Sequence, residues 1–277
     1  MKSFRKLVYP YVIWAAIMIG IPMLMILLYA FTKDGNSVRN FVFTLDNFKR
    51  FFSDKVFIDV LKRSLNIAIL TTVFCILLGY PAAYAMARSR FKIQWVLLTT
   101  IPTWINMLVR TYAWRGMLDN KGLINGFLGM FGIGPIKMLE TTFAVVLGMV
   151  YNFIPFMIIQ IYNSLEKIDK SYFEAAADLG ANRFKTFLRI TLPLSVPGII
   201  SGITLVFLPA VSSFFIPKLL GGGQYVLIGN VIENQFLTAG DWSFGSAISL
   251  IMAVIIIISM YITRRIDQKI SPEGGNS

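Results

Sequence analysis

The sequence predicts an all-α, polytopic membrane protein with six transmembrane helices. Three observations support this. Of 277 residues, 56% are hydrophobic and only 14% charged, where a soluble domain carries about 25% charged residues; mean hydropathy is +0.67. Apolar runs of about 20 residues, the length a helix needs to cross a bilayer, recur along the chain. Lys and Arg gather beside these runs, as membrane topology and anionic lipid demand. A transmembrane β-barrel would instead show short alternating segments. Water-soluble enzyme folds are excluded on the same ground.

The runs can be taken in order. Lys2, Arg5 and Lys6 precede the first, about 8–31. It is too long for the apolar core of a signal peptide, about 7–15 residues, so it reads as an uncleaved span, with Pro22 a candidate kink. A polar loop, 32–63, follows. The second span, about 64–87, carries Gly79-Tyr80-Pro81 near its end, and the basic loop Arg88, Arg90, Lys92 leads to a third at about 94–118. That span is the least pure, holding Pro102, Trp104, Asn106, Arg110 and Arg115. A Gly-rich stretch, 119–140, suggests a loop with a short interfacial helix. The fourth span, about 141–163, has Asn152 and Pro155 near its centre. The fifth, about 194–217, is expected to be broken by Pro197 and Pro209. A loop with Gly221-Gly222-Gly223 near its start leads to the sixth, about 245–263, ended by Arg264-Arg265, and the tail after Ser271 reads as disordered.

Between the fourth and fifth spans, 164–193 is the most polar internal segment. Ser171-Tyr172-Phe173-Glu174 has the form of a capping box, and Ala175, Ala176 and Ala177 are strong helix formers. Gly180 suits the left-handed residue that ends a helix, and Asn182 suits the cap of a second. In that helix Phe184, Phe187 and Leu188 share one face and Lys185 and Arg189 another, with Pro193 as its stop. The product is a helix-turn-helix knob.

The spacing Glu174-Ala175-Ala176, Gly180, Ile190, Leu192-Pro193 resembles the EAA loop of the permease subunits of bacterial ABC importers. Beyond it, Phe43–Asn47, Leu78–Pro81, Asn106 with Leu108-Val109-Arg110, Pro155-Phe156-Met157, Glu166–Lys170, Leu227–Asn230 and Asp241-Trp242 resemble the spermidine/putrescine branch (PotB-type) over nearly the whole length. The resemblance implies the type I importer permease (MetI-like) fold and a cytoplasmic loop docked on an ATPase. It also implies the partners: an ATPase dimer (PotA-type), a second permease (PotC-type) and an extracellular polyamine-binding protein (PotD-type). An N-terminus on the cytoplasmic side leaves the inner segments richer in Lys and Arg than the outer ones, although the first outer loop, Lys33 to Arg63, is itself basic. The expected location is the bacterial cytoplasmic membrane, multi-pass, with both termini in the cytoplasm.

The net charge of +12 suggests nucleic acid, but its clustering beside spans points to topology and lipid. One cysteine, Cys75, precludes an internal disulfide, and the absence of His removes His-based catalysis and most zinc sites. No G-x-x-x-x-G-K-[ST] phosphate cradle is present, so ATP is expected on another chain and no cofactor on this one. The expected role is a transport subunit, not an enzyme. The spans hold no Asp or Glu, which disfavours an ion-coupled secondary carrier; an importer permease for another small solute stays open. Gly198-Ile199-Ile200-Ser201-Gly202 permits close helix approach, within the subunit or between subunits. Trp104, Tyr112, Tyr151, Ser212, Ser213, Phe214 and Phe215 are candidates to line the pathway, the aromatic faces through cation–π contacts. Arg110, set within the third span, is expected to have a buried acidic partner, with Asp119, Glu140, Glu233 and Asp241 as candidates.

Overall fold

The computed structural model describes residues 2–33 and 42–270, with side chains over 9–33 and 42–266. The tail after Ser271 lies outside them. The described residues are overwhelmingly helical, with one isolated antiparallel bridge between Thr32 and Phe43. The helices are α1 (Lys2–Ala15), α2 (Ile21–Ala30), α3 (Asp46–Ser53), α4 (Lys55–Arg88), α5 (Lys92–Trp104), α6 (Met107–Leu118), α7 (Leu123–Met130), α8 (Thr142–Glu166), α9 (Ser171–Asp178), α10 (Arg183–Thr186), α11 (Leu192–Ser212), α12 (Phe215–Leu220), α13 (Ile228–Asn234) and α14 (Trp242–Ile270). Helices dominate because hydrocarbon offers no partner for backbone polar groups, which a helix satisfies within itself.

Among the described residues, five helices are long and apolar enough to cross a membrane: Tyr9–Ala30, Lys55–Arg88, Thr142–Glu166, Arg183–Ser212 and Trp242–Ile266. The third apolar segment is two helices in series. Ile105 is extended, and Asn106 accepts the Leu108 N–H through Oδ1 at 2.7 Å, so a new helix starts there. The second helix starts at Lys55, because Asp54 Oδ1 takes the Val56 N–H at 2.8 Å. The fifth differs from expectation in two ways. Pro193 does not stop the preceding helix: a π-helical turn, Phe187–Thr191, runs directly into α11, whose second residue is Pro193. Pro197 and Pro209 lie inside α11, and the break falls later, at the extended Ser213.

By contact the chain divides into two units, Met1–Leu61 with Ile228–Ile257, and Lys62–Leu227 with Ile258–Ser277. In the first, Asn47 is buried and its Nδ2 donates to the Ala30 and Thr32 carbonyls at 3.2 and 3.0 Å, tying α3 to the end of α2. Phe31 packs on Phe43 and Phe48 at 5.4 and 5.1 Å. Arg50 lies 4.0 Å over the Phe244 ring and pairs with Asp241 at 2.9 Å. The segment read as a polar loop therefore carries a folded aromatic cluster.

The second unit is built on α8, the most buried of the long apolar helices. Met149, Met157 and Ile161 are fully buried along it, and α11 lies against it at the two glycines of its G-x-x-x-G. A Cβ at Gly198 would meet Ser164 Cβ at 2.5 Å and the Gln160 carbonyl at 2.6 Å, and one at Gly202 would strike Met157. The motif thus serves packing within the chain. Tyr80 and Ser195 hydroxyls lie 2.9 Å apart, joining α4 to the start of α11.

Gly198→Val should overpack this contact and cost about 1–3 kcal/mol. Gly116→Ala on α6, where an added Cβ meets nothing within 4 Å, should cost none. Thermal unfolding of the detergent-solubilised protein separates the two; equal midpoints would refute the close-approach role of Gly198.

Candidate functional site

The segment between α8 and α11 is a short helix, a tight turn and a second helix that continues into α11. Its first cap is not Ser171. That residue is already helical, and its backbone N–H donates to Asp169 Oδ1 at 2.8 Å. Lys170 is at the cap position, and Asp169 just before it satisfies the first free N–H of the helix with its carboxylate. That hydrogen bond holds its carboxyl below the ordinary range. The bond is therefore intact above the ordinary carboxylate pKa of about 3.9 and is lost as pH falls through the lowered folded value.

Gly180 is left-handed, φ 69°, and the turn is fully hydrogen-bonded. The Gly180 N–H donates to the Ala177 carbonyl and the Ala181 N–H to the Ala176 carbonyl, both at 2.9 Å, which is a Schellman closure. Asn182 then caps the second helix, accepting the Lys185 N–H at 2.8 Å. Glu174, Ala175 and Gly180 are exposed, Ala176 is buried, Ile190 and Leu192 are half-buried, and Pro193 is exposed.

The apolar side chains of this knob do not share one face. Phe187 turns inward, edge-on to Tyr80 and Tyr84 at 5.8 and 5.5 Å, and so braces the second helix against α4. Phe184 points away and is 69% exposed, as Leu179 is at 87%. The π turn opening at Phe187 alters the angular spacing on which a shared face depends. Leu179, Phe184, Tyr172 and Leu188 leave large apolar side chains exposed around the knob, the mark of a surface that meets a partner. Leu179 was missed in the sequence because it follows the last helical residue, outside any periodic pattern.

The pathway candidates fall into two ring clusters on α6. Tyr112 meets Phe215 at 6.4 Å, and Phe215 meets Phe214 at 6.5 Å. Tyr151 of α8 meets Trp114 at 5.4 Å, with the Arg110 guanidinium 5.9 Å over the same Tyr151 ring. Trp114, not singled out from the sequence, lies four residues after Arg110 and hence on the same helix face. Trp104 ends α5, is 74% exposed, and belongs to neither cluster. Ser212 Oγ donates back to the Leu208 carbonyl at 3.2 Å, satisfying one of the helix-end carbonyls just before the break at Ser213.

Arg110 does not have the acidic partner expected of it. Glu140 pairs with Lys137 at 2.8 Å, Asp241 with Arg50, and no described ion pair includes Arg110. Its Nε and Nη1 are buried without a hydrogen-bond partner among the described residues, and the guanidinium lies over the Tyr151 ring.

Gly180→Val should strain the turn by about 1–2 kcal/mol, although an added Cβ meets nothing within 4 Å. Gly180→Asn should be tolerated, since Asn visits that conformation. Hydrogen exchange of the residue 180 and Ala181 amides measures the difference; equal protection in both variants would refute it. By the same readout Asp169→Ala should speed exchange at Ser171 at neutral pH but not at pH values below the folded pKa of Asp169.

A family model described as binding-protein-dependent transport system inner membrane component matches residues 1–272. The spermidine/putrescine transport system permease protein PotB of Escherichia coli (strain K12) is 41% identical over 269 residues, covering 94% of this chain and 98% of that protein. PotB of Haemophilus influenzae is 39% identical over 257 residues, covering 91% and 90%. A bacterial alginate ABC transporter, solved with an alginate pentasaccharide-bound periplasmic protein, shares the fold with TM-score 0.80 at 19% identity, covering 97% of this chain and 95% of that one. With a family model spanning nearly its whole length and relatives of this closeness, the chain belongs to the inner-membrane permease subunits of binding-protein-dependent ABC importers.

Proposed function

We propose that this permease carries polyamines, spermidine and putrescine, across the bacterial cytoplasmic membrane into the cell. It would work with a second permease (PotC-type), an ATPase dimer (PotA-type) and an extracellular binding protein (PotD-type), with both of its own termini in the cytoplasm. The observation that carries the substrate is near-full-length similarity to permeases of that name, at 41% identity over 94% of the chain. What supports the coupling role is the knob: a hydrogen-bonded turn that holds Glu174, Leu179 and Phe184 exposed between two membrane helices. Exposed apolar side chains on a polar segment suit a groove on a soluble partner. Phe187, wedged against Tyr80 and Tyr84, gives a push on the knob a direct path into α4. ATP itself is handled by the ATPase.

Within the membrane, the α6 ring clusters suit a polycation. Tyr112, Phe214, Phe215 and Tyr151 offer π faces, where no carboxylate lies in the apolar stretches. Arg110 is the exception, a cation in that neighbourhood. Its unpartnered N–H groups call for an acceptor from the second permease, because an uncompensated buried charge is costly.

Uptake of radiolabelled spermidine and putrescine by vesicles holding the four-protein complex tests this reading. Glu174→Arg and Phe184→Asp should abolish uptake and ATPase co-purification while leaving the permease in the membrane. Phe215→Ala and Tyr112→Ala should slow transport without weakening capture by the binding protein. A cysteine at Asn182, with Cys75 replaced, should react with an impermeant thiol reagent only in opened cells. Uptake of a different solute and of neither polyamine would leave only the importer class standing.

A further inference from the structure

A cavity of about 350 Å³ opens where the end of α4, the start of α5, the end of α8 and the entry to α9 meet. Arg88, Lys92, Lys170 and Glu166 line it, with Phe173 of α9 and Thr191 in its wall. Its single carboxylate is already committed: Lys92 Nζ holds the two Glu166 oxygens at 2.9 and 3.1 Å. Arg88 lies 4.3 Å over the Tyr84 ring, and neither Arg88 nor Lys170 enters an ion pair among the described residues. The cavity therefore presents two cations outside any described ion pair, the complement of a phosphate group.

The position in the membrane distinguishes between sources of phosphate. Trp95, on the first turn of α5, is 45% exposed and donates its indole N–H to Ser89 Oγ at 3.1 Å. An exposed Trp with its polar edge satisfied beside a basic loop sits at headgroup level. Phe91 and Ile93 beside it are 63% and 74% exposed, apolar surface of the kind acyl chains cover. Basic pockets between membrane helices at this level take lipid headgroups.

We propose that this cavity binds the phosphate of an anionic phospholipid, held by Arg88 and Lys170. The lipid would bridge α4 and α8 to the entry of the knob, since Lys170 and Phe173 form part of the same wall. Its presence would then stiffen the segment that meets the ATPase, making coupling dependent on anionic lipid. Only this last consequence rests on the coupling role proposed above; lipid binding itself is read without transport.

The test uses the assembled importer purified from vesicles of equal phosphatidylglycerol and phosphatidylcholine, with retained lipid counted by native mass spectrometry. The wild type should retain phosphatidylglycerol in preference to phosphatidylcholine. Arg88→Gln with Lys170→Gln should lower that retention about thirtyfold, the effect of two basic residues near the membrane surface. Arg88→Gln and Lys170→Gln made singly should each lower it about fivefold, and they carry the test if the double variant fails to assemble. Lys167→Gln, outside this cavity, should have no effect. Unchanged phosphatidylglycerol retention in the Arg88 and Lys170 variants, or equal retention of phosphatidylcholine by the wild type, would overturn the proposal. In lipid-depleted detergent, sn-glycerol 3-phosphate shielding Lys170 from amine acylation as well as phosphatidylglycerol does would assign the cavity to a soluble phosphate and overturn the lipid source. Loss of uptake with lipid retention intact would count against the coupling role alone.

Discussion

The larger unit depends on how closely α11 lies against α8. Between membrane helices no hydrophobic force remains once both are in lipid, so association rests on close packing and hydrogen bonds. Gly198 and Gly202 let the α11 backbone approach Gln160, Ile161 and Met157 to a separation no side chain would permit. Gly148 makes the corresponding approach on the other side, against Ile216 and Leu220 of α12. With α8 held on two sides, its ends become fixed points. One end carries Glu166 and the entry to the knob, and Tyr151 on the same helix carries the ring beneath Arg110.

The interruptions of the helices follow from this frame. A helix in lipid breaks only where something else satisfies the freed backbone. At Asn106 the side chain does so through the Leu108 N–H, and at Ser212 the hydroxyl returns to a carbonyl of the preceding turn. Both breaks border the α6 aromatic clusters: α6 begins at one, and Phe214 and Phe215 follow the other. The irregular backbone thus borders both clusters of candidate pathway rings and Arg110, whose Nε and Nη1 have no hydrogen-bond partner among the described residues.

The knob shows a different balance. Its turn is fixed by local hydrogen bonds around Gly180 and Asn182, and Phe187 wedges its second helix against Tyr80 and Tyr84 of α4. Ala176 is buried, while Leu179 and Phe184 remain uncovered.

What the sequence by itself determined is what local chemistry determines. Run length and composition specify membrane helices, Gly180 specifies the left-handed closure and Asn182 the cap, because each acts on backbone groups within a few residues. The importer family is legible for a related reason, since its loop motif is a local pattern. Tertiary structure decided the rest. Asp169, not Ser171, took the first free N–H because the helix began one residue earlier than the box implied. Phe184 and Phe187 parted because a π turn shifted the register and only one of them found Tyr80 and Tyr84. Pro193 lies in a helix it was expected to stop, because a π turn just before it carries the chain on into α11. The G-x-x-x-G served α8 rather than another subunit, and Arg110 met a ring rather than an acid. Each of these depends on which element lies opposite, and that is settled only when the helices pack.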